Sequence, residues 1–127
     1  MIYRGTFLKS SDNCGAKIVK CINILKKKKK SASRGESIFI AVKKLRANKR
    51  ISSRVKKGEI YHGVILRTKV YIPNHFIDIG LTSFLENSIL LLNKQNRLIG
   101  SRVVGPISRQ FKYNKFSRNV LISAGLV

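Results

Sequence analysis

The chain has 127 residues, enough for one domain that buries a core without disulfide or metal staples. Hydrophobic residues make up 43% of it, which speaks against wholesale disorder. Lys and Arg number 27 against 5 acidic residues, a formal +22; in one small globule such charges repel and call for a polyanionic partner, of which nucleic acid is the commonest.

In chain order, the N-terminal stretch Met1 to Leu8 lacks the long apolar segment of a secretory signal and is too short for a transit peptide. Asp12-Asn13-Cys14-Gly15-Ala16 reads as a tight turn, with Asp and Asn bonding their own backbone and Gly15 at positive φ. Ala16 to Leu25 follows as a strand, with Ala16, Ile18, Ile22 and Ile24 on one face and Val19, Cys21 and Leu25 on the other. A basic loop comes next, Lys26 to Lys30 and then Ser31-Ala32-Ser33-Arg34-Gly35.

Ile38 to Lys44 alternates cleanly, Ile38, Ile40 and Val42 opposing Phe39, Ala41 and Lys43; this placement favours core packing for Phe39, with stacking on a base as the alternative. Arg46 to Arg50, Arg54 and Lys56-Lys57-Gly58 form further basic loops. Ile60 to Lys69 is a strand with Ile60, His62, Val64 and Leu66 on one face, continuing through Val70 and Ile72 to a stop at Pro73. Phe76 to Ile79 and Ser88 to Asn93 read as two short strands. After Pro106, Ile107, Phe111 and Phe116 suit the apolar side of short helical turns, with Arg109, Lys112 and Lys115 outward, and Val120-Leu121-Ile122 docks back on the body. Short strands separated by turns predict a mainly β protein closed into a small barrel, which removes exposed edges.

Catalytic equipment is thin. The acids Asp12, Glu36, Glu59, Asp78 and Glu86 are scattered, and His62 and His75 stand alone. Cys14 has Lys17 nearby to lower its pKa but no partner base. Cys14 and Cys21 lack metal-ligand spacing; two free thiols are expected, with a disulfide between them as the alternative. The expectation is therefore no enzyme, no cofactor, no metal and no small-molecule substrate. Ile89 to Leu92 is too short to span a membrane. The basic loops suit RNA phosphates, and Tyr61 and Tyr71 are candidates to stack on bases.

Four segments in order resemble the universal large-subunit ribosomal protein fourteen family over nearly the whole chain. They are Thr6-Phe7-Leu8 with Asp12 to Lys17, Cys21 to Leu25, Val55 to Lys69, and Gly100-Ser101-Arg102-Val103-Val104-Gly105-Pro106-Ile107. Five lysines follow Leu25 where that family has glycines, and the stretch Pro73 to Phe84 is longer. The resemblance implies one domain over residues 1–127, a five-stranded β-barrel with short C-terminal helices at about 105–120. It implies a structural constituent of the large ribosomal subunit that binds large-subunit rRNA and contributes to a bridge with small-subunit rRNA. Ribosomal proteins of the three and nineteen families are the implied neighbours, and a ribosome-silencing factor is a possible visitor. By position, Ser101, Arg102 and Lys115 fall at that interface or docking surface.

Charge, loop placement and resemblance together assign phosphate contacts to Lys26, Lys27, Lys28, Lys29, Lys30, Arg34, Arg46, Arg50, Arg54, Lys56 and Lys57. More specific RNA contacts are assigned to Arg67, Arg97, Arg102 and Arg109. Abundant Ile, Lys and Asn suggest AT-rich coding DNA and a mitochondrial ribosome, with plastid and bacterial ribosomes as alternatives. A free single-strand-binding barrel would need a stripe of exposed aromatics, and a secreted cationic nuclease would need paired disulfides and catalytic histidines.

Overall fold

The computed structural model describes residues 1–25, 30–47, 54–70, 82–109, 111 and 122–127. Within them the strands are β1 (Ile2–Tyr3), β2 (Phe7–Ser10), β3 (Ala16–Ile24), β4 (Ser31–Ala32), β5 (Ser37–Leu45), β6 (Ile60–Arg67) and β7 (Ser88–Leu92). The order β2-β3-β5-β6-β7 closes a five-stranded barrel. Its neighbours are antiparallel except β2 and β7, whose parallel pairing completes the circle. Closure pairs every barrel strand on both sides and so removes sheet edges.

β5 alternates as its sequence requires, with Ile38, Ile40 and Val42 fully buried. β3 departs from the simple period of two. Its register against β5 shifts between Ala16 and Ile18, between Ile18 and Val19, and between Cys21 and Asn23. Each irregularity resets which face a residue takes. The buried set is therefore Ala16, Val19, Cys21 and Ile24, while Ile22 is exposed, and the expected grouping of Ala16, Ile18, Ile22 and Ile24 does not form.

β6 ends at Arg67 instead of continuing through Val70, which is an exposed bend residue, and Ile72 lies outside the described residues. β1 and β4 were not expected. They pair Ile2 with Ala32 and Tyr3 with Ser31, because Ile2 and Ala32 are both fully buried against the core and each brings its backbone to the other. The expected strand Phe76 to Ile79 and the residues Lys112, Lys115, Phe116, Val120 and Leu121 of the expected C-terminal element lie outside the described residues.

Two hydrophobic layers hold the chain together. Leu8, Val19, Cys21, Ile38, Ile40, Val42, Ile65, Ile89 and Leu91 pack within one cluster, joined by Cys14 and Val55. On the other face of β6 and β7, Val64, Leu66, Leu90 and Leu92 pack against Val103, Ile107 and Phe111, with Leu98, Ile122 and Leu126 at the margin. This second layer explains why β7 is buried at all five positions, without alternation. The covering strap is itself tied by backbone bonds: Val103 N–H to Ile122 O at 3.2 Å, Ile107 N–H to Gly125 O at 3.0 Å, and Val127 N–H to Ile107 O at 2.8 Å.

Candidate nucleic-acid interface

The turn entering β3 organises one corner of the molecule. Gly15 takes φ +104° as the turn requires, but the acid and amide ahead of it do not bond their own backbone. Asp12 is only 1% exposed, and its carboxylate accepts from the Ser10 hydroxyl, from the Cys14 thiol at 2.8 Å and from Leu91 N–H at 3.2 Å. Asn13 reaches across the chain. Its Oδ1 accepts from Ser101 N–H at 2.8 Å and Arg102 N–H at 3.3 Å, while its Nδ2 donates to Ser101 Oγ at 2.8 Å. The bond from Leu91 N–H satisfies a buried carboxylate from across the chain, while those of Asn13 tie Ser101 and Arg102 to the turn at the exposed surface.

The same turn holds two basic residues by their backbones. Gly15 O accepts Arg46 N–H at 2.9 Å, and Cys14 O accepts Arg54 N–H at 3.0 Å. Arg54 then donates through Nη1 to Ile99 O at 2.8 Å, and Arg46 through Nη2 to Ser10 O at 3.2 Å. So Arg46, Arg54, Ser101 and Arg102, far apart in sequence, share one anchor. Gly100 permits the approach: a Cβ there would sit 2.8 Å from Asp12 Cβ and 2.9 Å from Asn13 Oδ1.

A second joint forms around Arg67, which is 8% exposed. Its Nε donates to Ser88 Oγ at 2.6 Å, and its Nη2 donates to Ser11 Oγ and to Val104 O, the latter at 2.9 Å. Gly105, at φ +86°, lies against the guanidinium; a Cβ would come 2.2 Å from Nη1. Burial lowers the Arg67 pKa below its ordinary value, and the charge of Glu86 offsets only part of that. Arg34 is comparably enclosed at 7% exposure, donating to Thr82 Oγ1 at 2.7 Å and Thr82 O at 2.8 Å, with its guanidinium 5.5 Å from the Phe84 ring centre. These two arginines therefore bind their own chain, tying distant segments to the barrel.

The other described candidates lie outward. Lys30, Arg54, Lys56, Lys57, Arg97, Ser101, Arg102 and Arg109 are exposed and Arg46 is half-buried. Arg97 belongs to a separate corner, the turn after β7, where Asn93 Oδ1 accepts its N–H at 2.9 Å. Arg109 is anchored elsewhere again, its N–H donating to Val127 O at 3.0 Å. Lys26, Lys27, Lys28, Lys29, Arg50 and Lys115 lie outside the described residues.

Sequence reasoning overlooked the cations of the barrel wall, Lys9, Lys17, Lys20, Lys43 and Lys44. They sit among the residues that alternate with the buried set, a signal present in the strands but overshadowed by the lysine-rich loops. Register places Phe7, Lys20, Ala41 and Ile60 in one row across four strands, with Phe7 59% and Ile60 61% exposed. The Lys20 ammonium stands 5.7 Å from the Phe7 ring centre. Phe39, expected in the core, is half-buried on the opposite face from Ile38 and Ile40, edge-on to His62 at 4.6 Å and 87°. Tyr61 packs at the margin of the core and donates its hydroxyl to Glu59, so its ring is not a free stacking platform.

Cys14 and Cys21 are free and buried. Burial and the adjacent Asp12 push the Cys14 thiol up to about 12, the reverse of the activation that Lys17 would bring. Among the described residues, no group of three or more His, Cys, Asp or Glu could hold a metal ion, and no helix is long and apolar enough to cross a membrane.

Sequence comparison accounts for this arrangement. The family described as ribosomal protein L14p/L23e matches residues 1–127. The large ribosomal subunit protein uL14 of Carsonella ruddii (strain PV) is 38% identical over 128 residues, a match that takes in 100% of each chain. The turn at Asp12, the end of β6 at Arg67 and the segment from Gly100 to Pro106 meet at two joints that each need a glycine, and the match runs through all of them: the chain belongs to the L14p/L23e family of ribosomal proteins.

Proposed function

We propose that this chain is a structural constituent of the large ribosomal subunit that binds large-subunit rRNA, and that residues 1–127 act as one domain whose C-terminal helical element, reaching to about 120, begins only after Ile107, which pairs with Leu126 in a β-bridge. The observation that carries the reading is the single turn that anchors Arg46, Arg54 and Arg102 by backbone and side-chain bonds. Cations held on a rigid scaffold lose less entropy on meeting phosphates than cations on a free tail. Each phosphate neutralised releases counterions, so many such contacts give high, salt-dependent affinity.

Lys26 to Lys30, Arg46, Arg50, Arg54, Lys56 and Lys57 serve as phosphate contacts, while Arg97, Arg102 and Arg109 make more specific ones. Arg34 and Arg67 contribute from within, holding the segments that carry those contacts. The surface with Ser101, Arg102 and Lys115 faces the small subunit, contributes a bridge to its rRNA and offers a docking place for a ribosome-silencing factor. Ribosomal proteins of the three and nineteen families are the neighbours. The role is structural, and no reaction is assigned to the chain.

Sedimentation of tagged chain from lysed cells tests this. Comigration with the large subunit through a high-salt wash is expected. Release into light fractions at modest salt would favour a free RNA-binding factor. The Ile, Lys and Asn content supports a mitochondrial ribosome, whereas the 38% identical relative comes from a bacterium. Recovery from purified mitochondria would support the first location, and recovery only from bacterial ribosomes would overturn it.

A further inference from the structure

The contact between Asn13 and the segment after Gly100 carries a chemical asymmetry. Ser101 N–H at 2.8 Å and Arg102 N–H at 3.3 Å both point at one end of the Asn13 amide. Backbone N–H groups only donate, so that end is the oxygen and the other is the NH2 group. The NH2 group stands 2.8 Å from Ser101 Oγ and donates to it. A hydroxyl has one hydrogen and two lone pairs. With a lone pair taken by Asn13, the hydrogen of the exposed Ser101 hydroxyl is left for another acceptor. Arg102 follows as a second exposed donor on fixed backbone. Val103 beside it is 5% exposed and bridges to Asp12, and Val104 N–H bonds Ser11 O at 2.7 Å.

We propose that Asn13 is a positioning residue: it keeps the Ser101 hydroxyl an outward donor beside Arg102, and so sets the strength of the contact with the small subunit. This role rests on the small-subunit contact read above and adds to it the residue that orients the contact. A carboxylate at position 13 would hold the segment equally well, because successive backbone N–H groups favour an anionic oxygen. It would also accept the Ser101 hydrogen, leaving only lone pairs to face outward. Asn13→Asp therefore keeps the anchor and reverses the donor. Arg46 and Arg54 hang from the backbone carbonyls of Gly15 and Cys14, which the Asn13 side chain does not touch.

The test uses large subunits carrying the tagged full chain, washed in high salt and titrated with small subunits, with association read by sedimentation. Asn13→Asp and Ser101→Ala should each raise the small-subunit concentration at half association about fivefold, as loss of one hydrogen bond does. Both variants should stay on the large subunit through the wash, and the melt of the purified Asn13→Asp chain should match the native one. The double variant should lose little beyond either single, because both changes remove the same donor.

Native association of either single variant would overturn the assignment, since an amide that merely holds the segment predicts that result for Asn13→Asp. Full multiplication of the two losses would overturn it too, because the added charge acting by itself behaves that way. Loss of Asn13→Asp from the particle would show that Asn13 holds the whole corner and not one hydroxyl. If the native chain itself leaves the particle in the wash, the ribosomal reading falls and this role with it. If the native chain stays and the variants associate normally, this role alone falls.

Discussion

The barrel wall has two outer surfaces that solve burial differently. Over β6 and β7, Val64, Leu66, Leu90 and Leu92 are covered by the chain's own strap, through Val103, Ile107 and Phe111. Across β2, β3, β5 and the start of β6, the row Phe7, Lys20, Ala41 and Ile60 has no such cover, and lysines replace the aliphatic residues around it. The contrast falls within single strands. β6 begins with an exposed Ile60 and, one residue before its end, carries a fully buried Leu66 on the same face. Covering decides burial: where the chain supplies its own lid the wall is aliphatic and buried, and over this row the wall mixes Lys20 with an exposed Phe7 and Ile60.

That comparison is sharpest in a pair of truncations. Phe111→Ala and Leu66→Ala, both at fully buried positions, should each cost about 2–5 kcal/mol of unfolding free energy, by lost transfer energy plus the cavity left behind. Ile60→Ala, on the same strand as Leu66, should stay within about 0.5 kcal/mol. Urea melts read this directly, and equal costs at Leu66 and Ile60 would break the distinction between walls.

The joint that brings the strap to the barrel comes next. Gly105→Ala combines a positive φ with a Cβ 2.2 Å from Arg67 Nη1, and should cost about 2–4 kcal/mol through strain and displacement of a hydrogen-bonded guanidinium. Gly58→Ala is the control, with φ +89° but nothing within 4 Å, and should cost only about 1 kcal/mol. Similar melts for the two variants would show that the Arg67 contact contributes nothing.

A smaller effect concerns pH. The Cys14 thiol is pushed from an ordinary 9.0 to about 12, first by burial and then by Asp12. A folded pKa above the unfolded one makes the contribution whole below about pH 9. Above that the unfolded chain ionises first, so stability falls as pH rises toward about 12. Melts of the native chain should therefore decline relative to Cys14→Ser between pH 9 and 11, a difference that cancels the other titrating groups. Parallel curves would place Cys14 in contact with water.

The smallest effect belongs to the uncovered wall itself. Lys9 and Glu86 form a 2.6 Å pair between an exposed lysine and a half-buried glutamate, and the Lys9 hydrogen bond is the main reason the Glu86 carboxyl titrates below its usual range. Glu86→Gln should cost at most about 0.5 kcal/mol, and less in high salt. A larger loss would mean that the pair organises the neighbouring Arg67 joint.

Much of the architecture is legible in the chain. The alternation of Ile38, Ile40 and Val42 predicts β5 and its inward face, and the run at Ile89 to Leu92 predicts β7. The mistakes share a cause. β3 was assigned faces by a strict period of two, but its register shifts move Val19 and Cys21 inward and Ile22 outward, and no residue in the strand advertises the shifts. β1 and β4 are two residues each, too short for any periodic signal, and exist because Ile2 and Ala32 meet in the core. The basic corner shows the same division: Arg46, Arg54 and Arg102 are visible as cations, but their shared anchor on the turn at Asn13 is not.

Sequence by itself determined the charge excess, the inward faces of the regular strands and the motifs that mark the family, because those follow from residue type and local period. Tertiary structure alone decided which arginines turn inward. Arg34 and Arg67 carry the same side chain as Arg54 and Arg102, yet they are enclosed by Thr82 and Phe84, and by Ser11, Ser88, Val104 and Gly105, partners between 21 and 56 residues away. A guanidinium goes inward only where such distant acceptors converge to replace its water, and that convergence is a property of the closed barrel and not of any local stretch of chain.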